Sequence, residues 1–482
     1  MQRTWTRRVM LAALCAGAVL GWTTRFAGAQ TADELSEEVR QYVSVDDSVV
    51  AITGVRLIDG TGAEPRDDVT ILLRGETIAA VGPTASVDVP EHATVLERDG
   101  YTVIPGIVGL HNHLFYAAAA GRVLLPYSAP RIYLGSGVTT IRTAGSYAPY
   151  QQLNLKRDIR IGERPGPRIV PTGPYLTGSG ANSYQYDVAG PDDARRVVSY
   201  WAQEGVSWFK VYTSIQRDEL KAIVDEAHDQ DIKVMGHLCS VSFEAAVARN
   251  IDNLEHGLFT NSGVVDDRQP NECPSGMRRQ VVKADVQGSR VQETIRTMVE
   301  NDVALTSTLA VLEALVPGRP PLQQRVLDAM TPRTRAAHKE MRQEVQEREE
   351  ESIMGSLFQK ELAFEKAFVE AGGLMGAGAD PTGNGGALPG FADQRNYELL
   401  LEAGFSPVQA IQIMTGNGAK IVDAYDDYGT VEPGKSADLV LIDGDPIDRP
   451  REIRNVETVF KRGIGYDSSE LIADVEGMVG AK

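Results

Sequence analysis

Two histidines one residue apart, His111 and His113, close the apolar run Ile104-Pro105-Gly106-Ile107-Val108-Gly109-Leu110. Side chains alternate faces in an extended strand, so both imidazoles project the same way. Such a pair is either a set of metal ligands or a solvated strand tip. The chain has only seven histidines, and two others end similar runs: His237 after Ile232-Lys233-Val234-Met235-Gly236, and His256 after Ile251-Asp252-Asn253-Leu254-Glu255. Asp380 closes Leu374-Met375-Gly376-Ala377-Gly378-Ala379, and Lys210 lies inside Val206-Ser207-Trp208-Phe209-Lys210-Val211-Tyr212. Each precedes a loop or helix, as residues do at the carboxyl ends of parallel barrel strands, where ligand sites gather. A lysine buried there loses its charge readily.

The elements that must hold these residues read as repeated β/α units. Strands are expected at 103–110, 138–142 and 168–172, then around Lys210, His237 and His256, at 303–307, and ending on Asp380. Helical stretches such as 217–230 and 242–249 separate them, which is the (β/α)8 count of a TIM barrel over 105–425. Residues 49–103 alternate as short strands, with a hairpin through Arg74-Gly75-Glu76, and similar β segments recur at 429–443 and 457–460. The two pieces, 47–104 and 426–466, would together complete a small β-sandwich.

His-x-His, Lys, His, His, Asp in this order resembles the amidohydrolase superfamily over nearly the whole chain after its leading segment. The resemblance implies the split sandwich and two divalent metal ions, zinc being the expected one. His111, His113 and Asp380 would hold one ion, and His237 and His256 the other. It also implies N6-carboxylated Lys210 as the bridging ligand, a bridging water activated by the metals, and Asp380 as the catalytic proton shuttle. Tyr212 lies two residues beyond Lys210 on the same strand face and is the candidate donor to the developing oxyanion, against a packing role in the barrel.

Gly137-Val138-Thr139-Thr140-Ile141-Arg142 and Lys210-Val211-Tyr212 are similar to the imidazolonepropionase-like and prolidase-like branch. Thr143-Ala144-Gly145 departs from it where many relatives carry an acid, and the loop 177–184 lacks a glycine-glycine-histidine. Both departures fall on the substrate side. Arg142, Tyr184 and Tyr186 are candidates to bind a substrate carboxylate, with salt-bridged or surface roles as the alternative. The expected activity is hydrolysis of a C–N bond in a small molecule or dipeptide, such as an N-acyl amino acid or an X-Pro dipeptide. A cyclic-amide hydrolase and a non-catalytic metal-binding barrel are the other readings.

Residues 1–29 read as a signal peptide: Arg3, Arg7 and Arg8 precede an apolar run at 9–22, and Ala27-Gly28-Ala29 suits cleavage. The arginine pair fits a twin-arginine signal or an ordinary secretory one, and either implies an exported, periplasmic or secreted enzyme. A formal charge of -18 excludes nucleic acid and anionic membrane as natural partners. Assembly into a homo-oligomer stays open. Residues 257–292 are a lid candidate, and 322–371 read as a charged, solvated helical excursion. His92, His228 and His338 are taken as non-ligands. Cys239 and Cys273 fall in consecutive barrel loops, which predicts a disulfide in an oxidising compartment, against two free thiols.

Overall fold

The computed structural model describes residues 32–180, 184–382 and 386–482. The expected signal peptide lies outside them. Among the described residues, no helix is long and apolar enough to cross a membrane.

Parallel strands form the centre of this mixed α/β fold. Ile107–Asn112, Val138–Thr143 and Arg168–Val170 make one three-stranded sheet. Thr172–Thr177, Trp208–Val211, Lys233–Gly236, Asn253–Glu255, Ala304–Ser307 and Met375–Ala377 run in that order through a second, seven-stranded sheet, with Tyr186–Asp187 at its edge. These strands are buried almost throughout, and besides their apolar residues they carry buried polar ones such as Thr140, Arg142, Asn253, Glu255 and Thr306, which must find partners inside the fold.

A single closed ladder was expected; two ladders meeting at two seams are observed. At the first seam Pro171 has no N–H to offer, and the Thr172 N–H bonds to the Thr143 hydroxyl at 2.8 Å rather than to a backbone carbonyl. At the second, the Asp380 N–H donates to the His111 carbonyl at 2.8 Å, beyond the end of its own strand. Because the strands are parallel, their carboxyl ends, and hence the residues singled out above, share one end of the molecule.

Helices between the strands start where local chemistry dictates. Arg217–His228 opens with a capping box in which the Gln216 N–H donates to the Glu219 carboxylate at 2.8 Å, and it ends on His228 at the negative end of the helix dipole. The imidazole of His228 lies 2.9 Å from Asp252, away from the other strand-end histidines.

Both termini contribute to one further sheet, of nine strands. Its order is Val43–Val45, Ile464–Asp467, Val456–Lys461, Leu439–Asp443, Tyr101–Pro105, Val49–Leu57, Arg66–Arg74 and Thr77–Pro83, with Thr94–Glu97 beside Val49–Leu57. The pieces at 47–104 and 426–466 therefore join edge to edge, where a two-sheet sandwich was expected. Val49–Leu57 makes this possible: at nine residues it is long enough to pair with Thr94–Glu97 at one end and Tyr101–Pro105 at the other.

The run read as one strand at 103–110 is two. Tyr101–Pro105 pairs antiparallel with Leu439–Asp443, while Ile107–Asn112 pairs parallel with Val138–Thr143. Gly106 is the junction, and a Cβ there would lie 2.0 Å from the Thr139 hydroxyl. Gly106→Ala should therefore lower stability by about 1–3 kcal/mol, the usual cost of overpacking. A shift of the urea midpoint at unchanged m-value is the expected readout.

Candidate active site

The predicted ligands stand at strand ends: His111 and Lys210 in the last two residues of their strands, and His113, His237, His256 and Asp380 just beyond theirs. His111 closes Ile107–Asn112 and His113 follows it. Asn112, between them, faces the other way. Its carbonyl accepts the Ala379 N–H at 3.0 Å and its amide donates to Asp393 at 3.1 Å, tying the first strand to the loop of the last. A Cβ on Gly109 would lie 2.0 Å from that amide, so the anchor needs glycine there. His256 (φ 64) and Asp380 (φ 46) adopt left-handed backbone, a strained state that tertiary contacts must impose.

The imidazoles form a chain: ring centroids are 5.4 Å apart for His113 and His111, 4.6 Å for His111 and His256, and 4.4 Å for His256 and His237. Asp380 Oδ1 lies 3.1 Å from His113 Nε2 and 3.6 Å from His111 Nε2. The donor atoms of His111, His113 and Asp380 all fall within 4.8 Å of one another, close enough to hold a metal ion. Lys210 is 1% exposed and its Nζ has no hydrogen-bond partner, a costly state for a bare ammonium. Nδ1 of His113 and Nε2 of His256 are likewise buried without partners. Orphaned donor atoms of this kind fit a site built for metal.

Electrostatics support the same reading. Burial, with Lys210 adding to it, keeps His111 well below its ordinary value and His237 down to about 3. Neutral imidazole is the form that binds metal. Burial brings Lys210 down to about 8, with Glu255 and Asp380 opposing the shift and Arg142 assisting it. Burial would raise the Asp380 carboxyl, but His111, His113 and Lys210 together hold it below the usual carboxylate range.

Behind the ligands lies a layer that the sequence did not disclose. Glu255 bonds through one oxygen to His111 Nδ1 and through the other to Arg142 at 2.7 Å. A carboxylate only accepts, so the His111 proton sits on Nδ1 and Nε2 is left with its lone pair toward Asp380. The Thr308 hydroxyl meets His256 Nδ1 at 2.7 Å and orients that ring in the same way. The available signal was Asn253 and Glu255 two apart on a buried strand, a polar face that must find partners.

Arg142 is one of those partners, which corrects its expected role. Fully buried, it donates to the Leu110 carbonyl at 2.8 Å and to Asn253 and Thr306 at 3.1 Å each, besides Glu255. With all three guanidinium nitrogens engaged below the site, it cannot meet a substrate carboxylate. Tyr186 is corrected as well: its hydroxyl binds Asp193 and Arg196, both at 3.0 Å, outside the cleft.

Tyr184 does line the cleft, which measures about 210 Å³, together with Tyr147, Tyr175, Tyr212 and the ligands. Two cations absent from the sequence reading complete the wall. Arg122 stacks 3.8 Å over Tyr184, and Arg278 lies 4.4 Å over Phe259. Arg122 comes from the hairpin Phe115–Ala118 and Gly121–Leu124, and Arg278 from the short helix Met277–Val281, so no spacing could pair them. Cys239 and Cys273 are disulfide-bonded, and this holds the segment before Arg278 against the loop after Lys233–Gly236. The segment expected as a lid thus contributes Phe259 and Arg278 to the cleft.

Glu255→Gln keeps the shape but weakens the bond that fixes His111. It should lower zinc affinity about 10–100-fold, the usual effect of losing a metal ligand's supporting partner. Titration against a competing chelator, with the fold followed by circular dichroism, measures it.

Comparison with known proteins agrees with this geometry. A candidate prolidase from Bifidobacterium longum shares 23% identity and a TM-score of 0.64, over 89% of this chain and 99% of that one. A Xaa-Pro dipeptidase with methionine bound in its active site shares 20% identity and a TM-score of 0.66, over 87% and 100%. Molinate hydrolase shares 19% identity and a TM-score of 0.65, over 88% and 96%. At these identities the likeness is one of fold. No curated protein matches the sequence. The amidohydrolase family profile matches residues 102–465, spanning the strands, the ligands and the returning terminal segment, and the chain belongs to the amidohydrolase family.

Proposed function

We propose that the protein hydrolyses the C–N bond of a small amide or dipeptide bearing a free carboxylate, and that it does so with bound metal. The observation that carries this reading is Lys210, buried and unpartnered among four imidazoles and Asp380. In the same reading the two parallel sheets form one (β/α)8 barrel with an interrupted ladder. His111, His113 and Asp380 would hold one divalent ion and His237 and His256 a second, with Lys210, as its carbamate, a further ligand. Nitrogen and oxygen donors at such sites suit zinc. Bound there, the ions supply Lewis acidity toward the amide carbonyl and acidify water.

The chain's own groups do the rest. Asp380 takes a proton from the attacking water as its oxygen bonds to the carbonyl carbon. The same carboxyl then delivers that proton to the nitrogen as the C–N bond breaks. Tyr212, at the cleft wall with its ring 4.6 Å from His237, donates a hydrogen bond from its hydroxyl to the carbonyl oxygen as charge builds there. Arg122 and Arg278 meet the substrate carboxylate. The small cleft favours a dipeptide-sized substrate, and two fold neighbours described as a candidate prolidase and a Xaa-Pro dipeptidase support that class. The leading segment and the disulfide support export to an oxidising compartment.

Lys210→Arg should abolish activity and second-metal binding together, since guanidinium cannot form a carbamate. Near-native turnover by that variant, or one metal per wild-type chain by elemental analysis, would overturn the binuclear reading. Asp380→Asn should retain metal yet lose on the order of 10²–10⁴-fold in kcat on amides. The loss should be smaller on esters, whose leaving groups need less protonation. Amide turnover within a few-fold of wild type would place the shuttle elsewhere.

A further inference from the structure

A larger cleft, of about 990 Å³, lies behind the active site. The helix Leu309–Glu313 and the two residues after it form a shared wall. Val311, Leu312 and Leu315 face the catalytic cleft, while Ala310, Glu313 and Ala314 face the larger one. At about 100° per residue these are opposite sides of one helix, so the two clefts are separate spaces.

Charge sets the larger cleft apart. In a chain of net charge -18 its lining carries seven Lys or Arg side chains against two Glu. Both acids are already committed. Glu313 pairs with Arg319 at 2.7 Å and Arg395 at 2.8 Å, and Glu398 pairs with Arg395 and Arg454. Arg342 donates to the carbonyls of Ala314 and Val316, at 2.9 and 3.2 Å, and among the described residues has no carboxylate within ion-pair distance. Among the described residues, Lys339 has no carboxylate within ion-pair distance. His338 is 8% exposed, yet its Nδ1 has no partner.

These residues share a stripe. Arg335, His338, Lys339 and Arg342 are spaced three, four and seven apart on the helix Pro332–Glu347, and all line the cleft. The sequence reading took this region for a solvated excursion, but one of its faces looks into a cavity. The rest of the lining mixes apolar Leu322, Val326, Leu327 and Phe391 with Arg319, Arg395, Arg451 and Arg454. Surplus cations beside hydrocarbon in one cleft match a molecule with an anionic head and an apolar body. The volume is that of a site for a small organic ligand.

We propose that this cleft binds an amphipathic organic carboxylate. The head lies against His338, Lys339 and Arg342, and the body lies along Leu322, Val326, Leu327 and Phe391.

Isothermal titration of the metal-loaded protein with dodecanoate below its micelle concentration tests this. Binding of about one molecule per chain, with a dissociation constant on the order of 1–100 μM, is expected. Dodecanol, which lacks the charge, and acetate, which lacks the body, should each bind at least ~10-fold more weakly. Ala336→Trp fills the cleft and Lys339→Glu inverts a charge at its wall; each should weaken dodecanoate about 10-fold or more without changing metal content. Lys339→Glu alters a solvent-reaching side chain and serves alone if the bulkier variant does not fold. Unchanged binding in Lys339→Glu, dodecanol or acetate binding as tightly as dodecanoate, or no binding up to millimolar concentration would each overturn the proposal.

Discussion

The bond from the Asp380 N–H to the His111 carbonyl, 2.8 Å long, joins the last parallel strand to the first. The rest of the site depends on it. It brings a carboxylate from one end of the strand series against two imidazoles from the other, across more than half the chain. The approach is so close that a Cβ on Gly378 would lie 2.2 Å from the His111 nitrogen. Asp380 must leave ordinary backbone geometry to make the turn, at a cost of about 1–2 kcal/mol. The Asn112 side chain, holding both Ala379 and Asp393, offsets that strain by securing the loop on either side.

A second constraint is charge burial. Arg142 and Glu255 are both fully buried, and a buried pair of this kind is held less for net stability than for the geometry it imposes. The geometry here is the proton on His111 Nδ1. A comparable device sits under His256. Glu361, pushed well above the usual carboxylate range by burial and by Glu365, accepts the Phe259 N–H at 2.8 Å in the turn after that histidine. Burial raises Glu365 itself to about 8, and it accepts from Ser307 at 2.9 Å, beside the Thr308 that orients the ring. Both carboxyls lie on the helix Met354–Glu370, so part of the excursion between the last two strands packs beneath the site while another part lines the second cleft.

The walls of the catalytic cleft are the least regular part of the molecule. A hairpin, a short helix and the turn after His256 supply Arg122, Arg278 and Phe259, whereas the residues that could hold metal stand at strand ends. A rigid ligand set under a wall of loops lets the loops select the substrate while the reaction chemistry stays constant.

Period-two alternation made His111 and His113 legible as a pair, and apolar runs ending in His237, His256 and Asp380 made their common end legible too. Both signals are local: a strand's faces and its polarity follow from neighbouring residues alone. Where contacts join distant segments, local pattern fell silent. The run from Val103 to Leu110 is apolar throughout, and only pairing with Leu439–Asp443 on one side and Val138–Thr143 on the other divides it at Gly106. Arg142 and Arg122 are equally plain arginines in sequence. Packing beside Glu255 buries the first beneath the site, and a hairpin carries the second to its rim. The sequence by itself thus determined which histidines, lysine and aspartate meet in one cleft and at which end of the strands they stand. The tertiary structure alone decided which charges are buried and which face substrate, because register and closure set the distances between segments far apart in the chain.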